Sequence, residues 1–477
     1  MSRYVRLLLA TTTFCSLLSV STAALALDAW FKEFKTTADD RTLHKFLHAL
    51  PKGGDLHIHL SGSVHPEWLL QLALDAEADG WRYYTKVRLN ECRYGTNEYG
   101  GNSYLLLFRT ITELQWDNLD ACEQSEYIPL KEMDERQRQA WLNALRLDKD
   151  YEGRAEFFEA HWPRLGGILR NPHIMADTIV MNMQHFGAEG VRYIEGQAPF
   201  HGLTTPEGKL LTPAQVLKIY EDRIAEADAQ ATGVTIRFQT AVLRFLPMAE
   251  DMVRFAYRFV AENPMMVSVN MVGREDNDKG YPLRFLEVFR EMRRQLPDVR
   301  LSIHGGEVDE PNQHVRDTLL LGAERIGHGV NLITDPDTLL LMRHNAFLVE
   351  VNLVSNLLLE YVEDYSMHPF PEYLRTGVPV ALSTDDRGMW DSTMTDEFFV
   401  AVKEFNLSWA EIKRLLRNSI AYGFMEEDVK TRLLEELEKD LQSFERRVGR
   451  SPEKVIDAAE PQYRGFLCRQ YQVCAEE

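Results

Sequence analysis

Positive charge is scarce in this chain. Lys and Arg number 53 against 73 Asp and Glu over 477 residues, leaving a net charge of −20. A surface that negative repels nucleic acid and anionic membranes, and it disfavours a highly phosphorylated substrate unless a local basic pocket exists. Plain solubility is the other reading of the same imbalance. Long hydrophobic runs are also lacking. The one at Leu7–Val20 falls short of the ~20 apolar residues that a spanning helix needs. It follows Arg3 and Arg6 and leads into Ala24-Leu25-Ala26. A positive segment, an apolar segment and a small-residue site in that order read as a secretory signal peptide over residues 1–26, rather than as a membrane anchor. Cleavage after Ala26 would take the net charge to −22 and release an exported chain, periplasmic or secreted, with no stable membrane association.

Cysteine is sparse as well, with five residues. Cys15 lies within the signal segment, so Cys92, Cys122, Cys468 and Cys474 remain. None sits beside a polar motif, which argues against a catalytic thiol. An even number in an exported chain suggests two disulfides, and three connectivities are open. Cys92 with Cys122 and Cys468 with Cys474 is favoured, because each pair closes a local loop; retention of free thiols is the alternative.

Internal repeats and low-complexity segments are absent, so one large unit is expected over residues 27–477. Asp28 to Leu50 has helix-like spacing of Trp30, Phe31, Phe34, Leu43, Phe46 and Leu47. Eight short apolar runs then recur: Asp55–Leu60, Val191–Ile194, Thr235–Val242, Met266–Met271, Val299–Ile303, Arg325–Ile326, Phe347–Val351 and Val380–Leu382. Amphipathic stretches such as Thr212–Ala229 and Leu283–Gln295 lie between them. Strands alternating with helices predict an α/β fold, a (β/α)8 TIM barrel. About 130 residues separate the first two strand candidates, far beyond one βα connection. An insertion is therefore expected at about 75–165, stapled by Cys92 and Cys122. From about Leu407 the chain reads as exposed C-terminal helices, among them the charged Leu433–Leu441.

Four polar fragments fall at strand ends. His57-Ile58-His59 alternates along a strand, so both imidazoles share one face. His304-Gly305-Gly306-Glu307 ends another strand, with glycines that allow a tight turn. Gly327-His328-Gly329 presents a histidine between glycines, which suggests display by the backbone rather than burial in a wall. Asp385 and Asp386 are adjacent carboxylates that repel unless a cation or strong donors compensate; helix N-capping explains at most one of them. Three imidazoles and a carboxylate suit Zn²⁺. Glu307 and His328 are then the spare acid and base for metal-assisted hydrolysis or hydrolytic deamination, between which spacing alone does not choose.

Taken together, these fragments resemble the adenosine deaminase family of the metal-dependent amidohydrolase superfamily. The matching pieces are Pro51-Lys52, Asp55-Leu56-His57-Ile58-His59-Leu60, His304-Gly305-Gly306-Glu307, Arg325-Ile326-Gly327-His328-Gly329, Ser355-Asn356 and Ser383-Thr384-Asp385-Asp386. The signal segment, the Lys52-Gly53-Gly54 start, the long insertion and Met367-His368-Pro369 resemble its secreted growth-factor-like branch. The resemblance implies one zinc held by His57, His59, His304 and Asp385. It also implies Glu307 as the acid at purine N1, His328 as the base for water, Asp386 at N7 and the Gly273 amide at N3. His59 and Ser61 would border the substrate. The implied reaction converts adenosine or 2′-deoxyadenosine to inosine-type products and ammonia. Ser61 departs from the aspartate that many members carry to contact the ribose 5′-hydroxyl, which keeps adenine, a modified adenosine and AMP open as substrates. Asn352-Leu353 replaces the usual Cys-Pro. The zinc deaminases with H-x-E and P-C-x-x-C are a different class; His65-Pro66-Glu67 imitates their first half, but no P-C-x-x-C follows. A purine nucleoside is the expected small-molecule partner, and a homodimer is compatible with the sequence. A secreted binding protein that keeps the barrel without catalysis is the rival class.

Overall fold

A computed structural model describes residues 27–93, 105–275, 279–309 and 311–475. The signal segment 1–26 lies outside the described residues. Two helical pieces open the described residues, at 27–37 and Asp40–His48. One continuous helix was expected there. Asp39 breaks it, because its side chain accepts from Thr42 N and caps the second piece. The apolar spacing survives across the break, and Phe31, Leu43, Phe46 and Leu47 are all buried.

Strand β1 (Gly53–His59) comes next. After the helix Pro66–Asp75, a small antiparallel sheet of β2 (Tyr83–Lys86), β3 (Thr110–Thr112) and β4 (Tyr127–Pro129) forms in the order β3-β2-β4. The Cys92–Cys122 disulfide lies in this region, and Cys468–Cys474 pins the C-terminus, which is the pairing favoured from loop size. Seven more strands follow: β5 (Val191–Ala198), β6 (Thr235–Leu243), β7 (Met266–Val272), β8 (Arg300–Gly305), β9 (Arg325–His328), β10 (Leu348–Val351) and β11 (Val380–Leu382). They join β1 in one parallel sheet in sequence order. Each runs through one of the eight apolar segments of the sequence.

The sheet closes on itself where β11 meets β1. Ile58 bridges Asp385 in parallel. His59 N donates to Asp385 O at 3.1 Å, and Asp385 N donates to His57 O at 2.9 Å. The fold is thus a (β/α)8 barrel, and its closing bonds involve three of the residues singled out by motif. Amphipathic helices cover the outside. Ala249–Glu262, for example, buries Val253, Ala256, Tyr257 and Val260. The C-terminal helices are less exposed than expected. Trp409–Ala421 buries Trp409, Ile412, Leu415, Leu416 and Ile420 and packs on β1 and β11. Glu427–Arg450 buries one stripe, Leu433, Leu437, Leu441, Phe444 and Val448, and leaves its charged side to water. Among the described residues, no helix is long and apolar enough to cross a membrane.

Candidate active site

The motif residues converge at the C-terminal ends of the barrel strands, where barrel enzymes hold their sites. His57 and His59 leave β1 on one face, His304 lies in β8, His328 ends β9 and Asp385 follows β11. Ligand atoms of His57, His304, His328 and Asp385 lie within 4.8 Å of one another, as do those of His59, Asp385 and Asp386. His59 Nε2 is 3.2 Å from Asp385 Oδ1 and 3.3 Å from His304 Nε2.

The outer nitrogens of two imidazoles are occupied, which aims the inner ones. His57 Nδ1 donates to Glu350 Oε2 at 2.7 Å. His304 Nδ1 donates to Asn270 Oδ1 at 3.0 Å. Partners of this kind fix the ring and tautomer of a metal-binding histidine. Glu350 is itself held by Ser302 Oγ at 2.7 Å and by Arg325 Nε at 2.7 Å. Arg325 also pairs with Glu195 at 2.6 Å, so the layer beneath the site is a buried, balanced ion network.

This donor set fits a cation. His57 Nε2 and Asp385 Oδ1 are buried without a hydrogen-bond partner, facing each other at 3.6 Å. Burial alone would strip His57 of its proton, but the nearby Asp385 and Glu350 carboxylates outweigh it and raise the ring to about 10. The carboxylates therefore demand a positive charge at this spot, and a bound metal would displace that proton. Burial and the neighbouring imidazoles hold His304 well below the ordinary histidine value, in its neutral, ligand-competent form.

Glu307 stands opposite. Burial, reinforced by the Asp385 and Glu275 carboxylates, raises its carboxyl well above the usual range. His328 Nε2 lies 3.6 Å from Glu307 Oε1. Burial pushes His328 well below the ordinary value. Asp386 is raised by burial and by Asp385, and its Oδ1 has no hydrogen-bond partner. It precedes the short helix Arg387–Trp390 without bonding its end, so capping accounts for neither aspartate. Gly62 packs directly on the Asp386 carboxyl, where a side chain would collide. Gly273 follows β7 at φ +90° against the Phe245 ring. Ser61 is half-buried in the turn after His59.

One expectation is corrected. His328 is not displayed by flexible glycines; it is 1% exposed and itself adopts φ +64°. Gly327 has another use, since a Cβ there would lie 2.6 Å from the His57 ring. Asp385 also holds a left-handed φ, +55°. Two non-glycine residues in that region are strained, as active-site residues often are.

Several further residues support the site. Glu275 accepts from Gly306 N at 3.1 Å and Glu307 N at 3.2 Å, clamping the turn that carries Glu307. Arg244 donates to His304 O at 2.8 Å. Asp55 accepts from His57 N at 3.1 Å and from Thr384 Oγ1 at 2.7 Å, tying β1 to the segment before Asp385. The readable signal for Glu350 was a lone acid inside an apolar strand.

A parallel eightfold barrel carrying this donor set at its C-terminal mouth defines a metal-dependent hydrolase of the amidohydrolase type. The family model for adenosine deaminase matches residues 124–440. The chain belongs to the adenosine deaminase family, whose members are metal-dependent hydrolytic deaminases. It is 25% identical over 414 residues to adenosine deaminase 2 of Dictyostelium discoideum, covering 83% of this chain and 73% of that protein. It is 30% identical over 236 residues to an adenine deaminase of Chelativorans sp., covering 47% and 69%. The N6-methyl-AMP deaminase of Arabidopsis thaliana shares the fold at a TM-score of 0.60 and 18% identity, over 83% of this chain and 98% of that one.

Proposed function

We propose that the chain is an exported, zinc-dependent adenosine deaminase that converts adenosine or 2′-deoxyadenosine, with water, to the inosine-type nucleoside and ammonia. The observation that carries this reading is that His57, His304, His328 and Asp385 turn ligand atoms to one spot, with His59 3.2 Å from Asp385, opposite the Glu307 carboxyl that burial biases toward its protonated form; His57, His59, His304 and Asp385 are read as the ligands. Three imidazoles and a carboxylate are a zinc donor set, and these four residues would hold one ion per chain. Bound there, zinc would supply the Lewis acidity that brings the pKa of water to about 7.

The chain's own groups do the rest. Glu307 places its proton at purine N1, which draws electron density from C6 and opens it to attack. His328 orients the attacking water and takes its proton. Its Nδ1 meets the Asn356 amide nitrogen at 2.9 Å, and the Asn356 oxygen accepts from His368 Nε2 at 3.1 Å, which holds the ring in place. Asp386, protonated, donates to N7, and the Gly273 amide meets N3. Residues 27–477 form one unit in this reading, with the segment at about 75–165 as its insertion.

Two disulfides support export, since such bonds persist in oxidising compartments; N-terminal sequencing of the mature protein should begin at Leu27. Metal analysis coupled to an ammonia-release panel of adenosine, 2′-deoxyadenosine, adenine and AMP tests the rest. About one zinc per chain with turnover of the nucleosides is expected. Turnover of AMP or adenine without the nucleosides would overturn the substrate, and no turnover with metal bound would favour a binding protein.

A further inference from the structure

Gln197 lies near the C-terminal end of β5, in register with His59 of β1. Leu60 N donates to its carbonyl oxygen at 2.9 Å. Side chains on neighbouring strands in register share a face, so Gln197 looks into the same space as His59. The alternation along β5 agrees. Glu195, two residues earlier, points into the barrel, where it bonds Gln239 at 3.2 Å and Arg325 at 2.6 Å. Gln197 is the next inward residue toward the mouth. It is 3% exposed, yet neither its Nε2 nor its Oε1 has a hydrogen-bond partner. A buried amide is expensive to leave unpaired, and such groups in a site call for a function. Trp162 borders the same histidine, its ring centroid 6.3 Å from that of His59.

In the deaminase reading the purine's polar edge atoms already have partners: N1 at Glu307, N7 at Asp386 and N3 at the Gly273 amide, with C6 at the metal. C2 and C8 carry only C–H. What remains to be read is the substituent on N9. A primary amide sets a donor beside an acceptor, which complements a hydroxyl, and it offers no charge to a phosphate. Ser61, half-buried and short, is a weak replacement for a carboxylate in holding a sugar.

We propose that Gln197 is a specificity-determining residue that hydrogen-bonds the hydroxyls of a neutral pentose on N9, so that the substrate class is the unphosphorylated nucleoside. This rests on the deaminase reading above. The test compares wild type, Gln197→Met and Gln197→Ala as metal-loaded full chains on adenosine, 2′-deoxyadenosine, adenine and AMP. Methionine keeps the shape and removes both donor and acceptor. KM for the nucleosides should rise about tenfold while kcat stays within about threefold and adenine kinetics do not change. Inosine and hypoxanthine as competitive inhibitors should show the same contrast, with only inosine weakened. The Tm of Gln197→Met should hold or rise, since an unpaired amide gives way to an apolar group. Equal losses on adenine and nucleosides, or no loss on either, would overturn the assignment, as would wild-type turnover of adenine or AMP in place of nucleosides. No turnover of any of the four would instead overturn the deaminase reading itself.

Discussion

The two arcs of the barrel face the same space with different chemistry. The arc from β8 through β11 to β1 brings His304, Glu307, His328, Asp385, His57 and His59, with Glu350 beneath them. The arc from β5 to β7 offers neutral groups toward the site: Gln197, Asn270 and Gly273. Its charged groups are turned aside, Glu195 onto Arg325 in the layer below and Arg244 onto Glu275. Buried charges are tolerated only when paired, so the first arc needs a built frame of counter-ions and strained backbone. The second arc pairs its charges with one another or with the layer below and keeps them off the site. Chemistry is therefore fixed in one half of the barrel, while the other is free to choose which substrate is presented to it.

The sharpest break of this contrast is His304→Ala, which should leave near-zero metal and background activity by metal analysis and ammonia assay; metal retained at wild-type level would remove His304 from the ligand set. Glu307→Gln should lower kcat by about 10²–10⁴ with the metal still bound. Unchanged turnover would refute it as the acid. Glu350→Gln keeps the volume but deletes the charge behind His57, and should weaken metal affinity by about 10–100-fold in a chelator competition; an unaltered affinity would show that the ion network serves folding alone. The smallest effect on activity is expected from Cys92→Ser with Cys122→Ser, which opens the staple of the insertion. Stability should fall by about 2–4 kcal/mol, read as a lower Tm, with kcat intact. A matching loss of kcat would show that the disulfide holds the insertion's Trp162 against His59.

Much of this was legible from residues in order. Each barrel strand shows as a short apolar, β-branched run, and the charged arc shows because histidines and adjacent aspartates at strand ends have few structural uses. The partners were hidden for a physical reason. Glu350 orients His57 across 293 positions, and Asn270 orients His304 across 34, so only the closed barrel makes them neighbours. The burial of His328 does not show in the sequence, because a flanking glycine suggests freedom whereas Gly327 is empty space for another residue's ring. The helix from Asp28 was overextended because periodicity carries on through a break that Asp39 makes by capping. Gln197 had no signal at all; a lone glutamine becomes informative only once it is seen buried and unpaired.

The meeting of β1 and β11 has a mechanical meaning. The peptide groups that fasten the cylinder shut belong to His57, His59 and Asp385, the residues proposed to grip the ion. The seam of the barrel and the jaws of the site are one object. Loading the ion should then act as a clasp: the amides of His59 and Asp385 would exchange hydrogen more slowly, and the whole cylinder would resist opening at the place where it is most weakly laced.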